Sequence, residues 1–224
     1  MRKAAAVLAL LGSVSIASPA IAGNPEGKLQ VKVLGTAVLP NGKITNVKTD
    51  IIGLPAGTQT KANDNVVPTI AIEYFFTPNI SLETICCLTQ HDVDATSGLP
   101  GAELVADAKL IPATFTLKYH PVTEGPIQPY FGAGPAYFLF ISDKPGAGAK
   151  GLGANGFKLD DAFGVALQGG VDFPINDSGM LISIDAKKYF VSTDAHWYAN
   201  GTEVIRTTHK LDPWVLSAGL GFRF

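Results

Sequence analysis

Eight segments of the chain alternate apolar and polar side chains, and this repeated alternation limits the possible folds more than any other feature. Successive side chains of a β-strand point to opposite faces, so each segment has one apolar face. The length of each segment is close to that of a tilted strand that crosses a membrane, which is about 9–11 residues. The segments comprise residues 28–38, 66–76, 79–90, 107–119, 127–140, 162–173, 179–191 and 212–224.

The connections between these segments alternate between long and short. The short ones are 76–79, 120–126 and 174–178, and the long ones are 39–65, 91–106, 141–161 and 192–211. Outer-membrane barrels have short periplasmic turns and long outer loops. The pattern therefore predicts an all-β fold, an eight-stranded antiparallel up-and-down transmembrane β-barrel that occupies residues 23–224, with the long connections as extracellular loops.

The N-terminus carries the features of a secretory signal peptide. Arg2 and Lys3 precede an apolar stretch, residues 4–16, that is too short to span a bilayer. The small residues Ala20 and Ala22 have the spacing that signal peptidase recognises, so we expect residues 1–22 to be cleaved. Their loss takes the formal net charge from −2 to −4. Because the mature chain has no basic run, nucleic acid is not an expected partner.

A soluble β-sandwich also alternates apolar and polar residues, so alternation alone does not identify a membrane barrel. Aromatic residues at the strand ends, the signal peptide and the unequal connections favour the barrel.

Cys86 and Cys87 are adjacent, and adjacent Cα atoms lie about 3.8 Å apart, which is too close for an ordinary disulfide. We interpret both as unpaired, packed thiols, and the alternative is a strained vicinal disulfide.

The last strand alternates to the final residue of the printed sequence. In a barrel this strand pairs with the first one, and its apolar stripe faces lipid. A final strand that ends on an aromatic residue is also a known signal for outer-membrane insertion. The predicted assembly signal comprises Trp214, Leu216, Leu220, Phe222 and Phe224.

Several sequence blocks resemble the OmpW family of small outer-membrane proteins. They are LIPATFTLKYHP (110–121), QPYFGAGPAYF (128–138), GVALQGGVDFPIND (164–177), TQHDV (89–93) and GLGFRF (219–224). The resemblance implies a monomeric barrel in the outer membrane of a Gram-negative bacterium, with an apolar channel for small hydrophobic molecules. Some relatives are receptors for toxins or phage. The family has no established catalytic residues, so none is carried over.

The alternation also predicts which side chains face the barrel interior. The periplasmic half contains charges of both signs, which must be paired or solvated there. We therefore expect a charge-paired plug rather than an open pore, since eight strands enclose little more than their own side chains. The plug residues are Lys32, Glu73, Glu83, Lys118, Asp172, Asp185, Lys187 and Arg223.

The inward side chains of the outer half are mostly apolar, which predicts either a cup for a hydrophobic ligand or simple packing of these side chains against each other. The residues are Leu34, Val38, Ile85, Leu110, Pro112, Phe138, Phe140, Tyr189 and Val215. A ligand in this cup could not pass straight down through paired charges. Pro112 and Pro135 lie on neighbouring strands and would each remove a ladder hydrogen bond. They suggest a sideways exit into the membrane.

Two other functions remain open at this stage. The long loops could act as a receptor or an adhesion surface, and Ser192, Asp194 and His196 could form part of a lipid-modifying enzyme. We expect no enzyme activity, because these residues lie at a loop entrance, where Ser and Asp are commonplace. We also expect no cofactor, and no metal, because the histidines lack metal-ligand spacing. The expected partners are outer-membrane lipid, lipopolysaccharide, periplasmic chaperones, the barrel-assembly machinery, a small hydrophobic ligand and, through the loops, toxin or phage.

Overall fold

The computed structural model describes residues 23–224, and the predicted signal peptide lies outside the described residues. The described chain is almost entirely β-structure. No helix among these residues has the length and apolar character needed to cross a membrane. The elements are β1 (Leu29–Leu39), β2 (Lys43–Asp50), β3 (Gln59–Ala62), β4 (Asn65–Thr77), β5 (Ile80–Cys86), β6 (Thr89–Ser97), β7 (Glu103–Tyr119), β8 (Gln128–Pro145), α1 (Ala147–Gly151), β9 (Gly156–Leu159), β10 (Ala162–Pro174), β11 (Met180–Phe190), β12 (Ser192–Ala199), β13 (Thr202–Lys210) and β14 (Trp214–Arg223).

Within residues 23–224, eight antiparallel strands close into a barrel, as the alternation predicted. Their order around the ring is β1, β4, β5, β7, β8, β10, β11 and β14, and β14 pairs with β1 to close it. The backbone of Phe224 exchanges hydrogen bonds with that of Leu29, donating at 2.7 Å and accepting at 3.2 Å. The two ends of the described chain therefore meet where β14 pairs with β1.

The alternation along each barrel strand separates a lipid-facing surface from an interior. In β4, Ile70, Ile72, Tyr74 and Phe76 are exposed on the outside, whereas Glu73 is fully buried. The same side of β14 exposes Trp214, Leu216, Leu220 and Phe222, and Phe224 follows the strand half-buried. An apolar surface of this extent suits hydrocarbon rather than water.

The segments predicted to be long extracellular loops contain further strands, which is the main difference from the sequence prediction. Strands β2, β13, β12 and β9 form a separate four-stranded sheet, here called the outer sheet. Strands β3 and β6 extend the barrel wall beside β7. The alternation in these segments uses small and polar residues, such as Thr193 and Ala195, so the hydrophobic pattern of a membrane strand is missing.

The third predicted strand is interrupted. β5 ends at Cys86 and β6 begins at Thr89, and the partner of the chain changes there: β5 lies between β4 and β7, whereas β6 lies between β3 and β7. In the part of the chain that the structure describes, both thiols are free; Cys86 is exposed and Cys87 is buried. The break marks the level along the barrel axis where the membrane-spanning part of the wall ends and the outer strands begin.

Candidate channel in the barrel interior

The interior of the barrel divides into a polar lower half and an apolar upper half. The lower half lies towards the short turns and the meeting of the chain ends, which is the periplasmic side of such barrels. Its lining is charged, and seven predicted residues are at most 5% exposed: Lys32, Glu73, Glu83, Lys118, Asp172, Asp185 and Lys187. We refer to these seven residues as the buried charge cluster.

Three lysines and four carboxylates form one connected network in this cluster. Lys118 Nζ lies 2.7 Å from Glu73 Oε2 and 2.9 Å from Glu83 Oε2. Lys187 Nζ lies 3.0 Å from Glu83 Oε1 and 2.8 Å from Asp185 Oδ1. Lys32 Nζ contacts three carboxylates at 3.1–3.4 Å. Each lysine therefore bridges acidic side chains from different strands.

Uncharged side chains complete the network. Gln168 donates to Glu83 and Asp185 at 2.8 and 2.6 Å and accepts from Thr116 Oγ1 at 2.6 Å. The Tyr130 hydroxyl donates to Asp185 at 2.9 Å, and its ring lies 3.6 Å from Lys118 Nζ. Buried charges are tolerated when they are both paired and hydrogen-bonded, as they are here. The charged side chains of the lower half thus pair with one another and with Gln168 and Tyr130.

Arg223 and His120 differ from the sequence prediction. Among the described residues, no ion pair joins Arg223 to the cluster; its Nε donates to the Gly27 carbonyl at 2.7 Å and its guanidinium stacks 3.7 Å from the Phe75 ring centre. His120, which the prediction omitted, contacts Glu73 Oε1 at 3.0 Å and Ser81 Oγ at 2.9 Å. Arg223 lies at the end of its strand and packs on the buried Phe75 ring, whereas the turn after β7 brings His120 back to Glu73.

The upper half encloses an apolar cavity of about 830 Å³, including the open space at its mouth. Eight of the predicted cup residues line it: Val38, Ile85, Leu110, Pro112, Phe138, Phe140, Tyr189 and Val215. Leu34 does not line this space and packs lower down with Ala71 and Ile85. The stagger between strands places Leu34 opposite Gly219 and Thr69, below the cavity floor.

The polar atoms around the cavity have partners within the protein. The Tyr189 hydroxyl and Thr114 Oγ1 lie 3.2 Å apart. His91 contacts Thr89 at 2.9 Å, and His209 contacts Thr207 at 2.7 Å. Burial lowers the pKa of both imidazoles, which lie on the outer strands, so both are neutral at neutral pH. The cavity wall therefore favours ligands that need few hydrogen bonds.

Several cavity residues come from segments that sequence reasoning treated as loops. Ala62, His91, Leu159, Ala195 and His209 lie on outer strands and line the upper wall. The available signal was the alternation along β12 and β13, where Thr193, Ala195, Thr207 and His209 point inward. Sequence reasoning also omitted Cys87, which lies at the strand break and faces the cavity.

A second apolar pocket of about 560 Å³, including the open space at its mouth, lies between α1 and the outer sheet. Trp197 and Ile205, which pair on β12 and β13, line it; Trp197 lies one inward position beyond Ala195 of the first cavity, and Ile205 lies two beyond His209. The Trp197 ring packs on Phe157 at 4.9 Å, and its Nε1 donates to the Leu104 carbonyl at 3.4 Å. Apolar surface therefore continues from the cavity towards the outer end of the molecule.

The ladder between β7 and β8 is interrupted beside the cavity floor. Pairing continues in one register from Thr114–Ala136 to Leu117–Ala133, but the two pairs between them are missing. The missing pairs involve Pro135, which has no N–H, and Gly134, where an added Cβ would collide with the Phe115 carbonyl oxygen. Pro112 lies on the same seam, opposite Phe138. The gap occurs where the charge cluster meets the apolar cavity.

Comparison with known proteins identifies related barrels. A family model described as the OmpW family matches residues 25–224. An uncharacterized outer-membrane protein of Sinorhizobium fredii, y4mB, is 33% identical over 95% of this chain and 89% of its own. The dibenzothiophene metabolism operon protein PahQ of Pseudomonas aeruginosa is 28% identical over 75% of this chain and 76% of its own. The crystal structure of the outer membrane protein OprG from Pseudomonas aeruginosa superimposes with a TM-score of 0.77, at 26% identity, and covers 91% of this chain and 99% of OprG.

Proposed function

Since the chain belongs to the OmpW family of outer-membrane β-barrels, we propose that it takes up small hydrophobic molecules through the outer membrane. Such molecules enter the apolar cavity from the outside. They leave sideways, through the wall between β7 and β8, into the hydrocarbon of the membrane. The buried charge cluster below the cavity blocks the direct route to the periplasm.

The observation that carries this proposal is the apolar cavity above the buried charge cluster. Its lining is almost entirely apolar, as is typical of sites for small hydrophobic molecules. Its polar atoms are already hydrogen-bonded within the protein, so an apolar ligand leaves none of those groups newly unpaired. The related protein PahQ is named for a dibenzothiophene metabolism operon. Dibenzothiophene is a flat apolar compound, the class of ligand that this lining favours.

The buried charge cluster supports a blocked route to the periplasm, and the interrupted ladder between β7 and β8 supports a sideways exit into the membrane. An apolar molecule moving down the barrel would have to separate paired, desolvated charges around Lys118 and Glu83, which is costly. Opening the wall at Pro135 breaks fewer ladder hydrogen bonds, because two pairs are already missing there. A lipid-facing exit also suits a ligand that partitions into hydrocarbon.

We further propose that outer-membrane lipid and lipopolysaccharide surround the barrel wall, and that the apolar stripe of β14 guides assembly by chaperones and the barrel-assembly machinery. Use of the outer strands by toxin or phage is the alternative function. It is favoured by Ile51 and Ile52, which are 66% and 49% exposed beyond the end of β2. Catalysis has less support, since His196 contacts Asp160 and Glu203 rather than Ser192.

The adjacent cysteines provide a direct test of ligand occupancy. Cys87 lines the cavity, whereas Cys86 is exposed on the lipid side. In the Cys86→Ala variant, we expect N-phenyl-1-naphthylamine to slow the labelling of Cys87 by an N-alkylmaleimide several-fold and saturably. The measurement is the rate of mass increase of the mature protein refolded in detergent.

The matched control is Cys87→Ala, which leaves only Cys86. The same compound should not change its labelling rate, because that thiol lies outside the cavity. Equal effects on both thiols would mean that the probe acts through the detergent. Absence of protection at Cys87 would argue against a ligand cavity and favour the receptor function of the outer strands.

The sideways exit is tested by closing the seam. With both native cysteines replaced by alanine, Leu117→Cys and Ala133→Cys place two thiols opposite each other on the lipid side, directly beside the missing pairs, and keep Pro135. We expect a disulfide or short cross-link here to reduce entry of N-phenyl-1-naphthylamine into expressing cells several-fold, with recovery on cleavage. Binding to the purified barrel should not change.

The control pair is Ile182→Cys with Leu220→Cys, which lie opposite each other on β11 and β14 with a continuous ladder. Cross-linking this pair should leave entry unchanged. If neither cross-link reduces entry, the ligand does not leave between β7 and β8, and that part of the proposal is wrong.

A further inference from the structure

His196 lies in the outward-facing surface of the outer sheet, enclosed by carboxylates. Its side chain is 9% exposed. Nδ1 lies 2.6 Å from Glu203 Oε2, and Nε2 lies 3.0 Å from Asp160 Oδ2. Asp194, two residues earlier on β12, completes a group in which the ligand atoms of Asp160, Asp194 and His196 all lie within 4.8 Å of one another. This cluster is separate from the barrel interior.

The two nitrogen contacts of His196 cannot both be hydrogen bonds from a neutral imidazole to ionised carboxylates. A neutral imidazole has one N–H and one lone pair, and an ionised carboxylate only accepts hydrogen bonds. If the shorter contact is an Nδ1–H donating to Glu203, the lone pair of Nε2 points at an oxygen of Asp160. Two electron pairs facing each other at this distance repel. Either a second proton or a metal ion must therefore lie on the Nε2 side.

We propose that Nε2 of His196 and the carboxylates of Asp160 and Asp194 bind a divalent first-row transition ion of the Zn²⁺ class. Glu203 then has the role of the carboxylate that holds the other ring nitrogen, an arrangement common around histidine ligands of metals. A mixed nitrogen and oxygen donor set suits Zn²⁺ better than Mg²⁺ or Ca²⁺, which prefer oxygen alone. This proposal does not rest on the transport function.

Three cationic side chains balance the negative charge of Asp160 and Asp194 when no metal is bound. Lys48 Nζ lies 2.6 Å and Arg206 2.7 Å from Asp194 Oδ2, and Lys158 Nζ lies 2.8 Å from Asp160 Oδ1. Lys48 and Lys158 are 40% and 62% exposed, so both can move into solvent when a metal ion binds. Their displacement costs Coulomb energy, and we expect weaker binding than at a structural zinc site.

A bound ion would connect the outer sheet to the barrel. Asp160 follows β9 and lies two residues before β10, whereas Asp194 and His196 belong to β12 and Glu203 to β13. The neighbouring Asp161 already ties this junction to β8, accepting from the Phe140 backbone N–H at 2.9 Å and from the Tyr137 hydroxyl at 3.0 Å. The metal would therefore fix the outer sheet above the cavity mouth.

Calorimetric titration of the tag-free mature protein, refolded in detergent, with ZnCl₂ tests this site. We expect one saturable zinc site per chain and no comparable heat with MgCl₂. His196→Asn, which keeps a donor near the Nδ1 position and removes Nε2, should weaken binding at least 100-fold. Glu203→Gln should weaken it about 10–100-fold, as losses of carboxylates behind a histidine ligand do.

Asp161→Asn is the matched control, since it removes a carboxylate next to Asp160 but outside the cluster, and it should bind zinc as the unsubstituted protein does. Equal binding by Asp161→Asn and His196→Asn, or no one-to-one binding at all, would overturn the proposal. If His196→Asn does not fold, X-ray absorption of the zinc-loaded protein decides instead. A zinc shell without an imidazole ligand would also overturn the proposal.

Discussion

Replacing Lys118 by methionine is expected to lower the free energy of unfolding by about 3–5 kcal/mol, the usual cost of removing one partner from a buried ion pair. Lys118 Nζ contacts Glu73 at 2.7 Å and Glu83 at 2.9 Å, and all three side chains are at most 2% exposed. Methionine fills a similar volume, but Glu73 and Glu83 then each lack one of their cationic partners. Urea unfolding of the refolded barrel, followed by heat-modifiable gel mobility, measures the change.

The control is Lys61→Met, at an exposed position on β3, which should change the free energy of unfolding by no more than about 0.5 kcal/mol. A double variant, Lys118→Met with Glu73→Gln, should recover part of the loss, because one of the unpaired charges is then absent. A loss below about 1 kcal/mol for Lys118→Met would mean that water or local rearrangement solvates the cluster, and that it does not block the barrel.

Phe138→Asp is expected to reduce the affinity for N-phenyl-1-naphthylamine by at least about 100-fold, because it places a charge in the cavity wall. Phe138 is 4% exposed and packs edge-on against Tyr189, with ring centres 5.3 Å apart. Phe138→Leu keeps the wall apolar and should change the affinity only a few-fold. Fluorescence titration in detergent measures both, after gel mobility has shown that both variants are folded.

The opposite result would be informative. If folded Phe138→Asp binds the probe as tightly as the unsubstituted protein, the inward apolar residues only pack against each other and the proposed uptake is wrong. If the aspartate variant does not fold, Phe138→Asn places an uncharged polar group at the same position. It should still weaken binding more than Phe138→Leu does.

The barrel could be predicted from sequence because its physical rule is local. A strand in a membrane wall must present apolar residues to lipid at every second position, and Ile70, Ile72, Tyr74 and Phe76 follow that rule without help from distant contacts. The predictions of the OmpW family, the eight-stranded barrel and the outer-membrane location are confirmed. The roles assigned to individual interior residues stay predictions.

The outer sheet could not be read in the same way. Beyond the membrane the outward face of a strand meets water, so His196 and Asp194 alternate with Ala195 and Trp197 without a lipid-facing stripe. The depth of an interior residue along the barrel axis could not be predicted from local sequence either. It depends on the stagger of neighbouring strands, which places Leu34 below the cavity. The inward turn of His120 depends on a bond from its backbone N–H to the Asn79 carbonyl at 2.8 Å, across two separate turns.

The pairing of β1 with β14 has a consequence for the order of events in biogenesis. The ring closes through contacts such as that between Arg223 and Gly27, which are 196 residues apart in sequence. The first strand therefore precedes its partner in synthesis, and the edge that it presents to β14 stays unpaired until β14 is available. The ring cannot close before both strands are present, so closure depends on a pairing between segments that lie far apart in the chain.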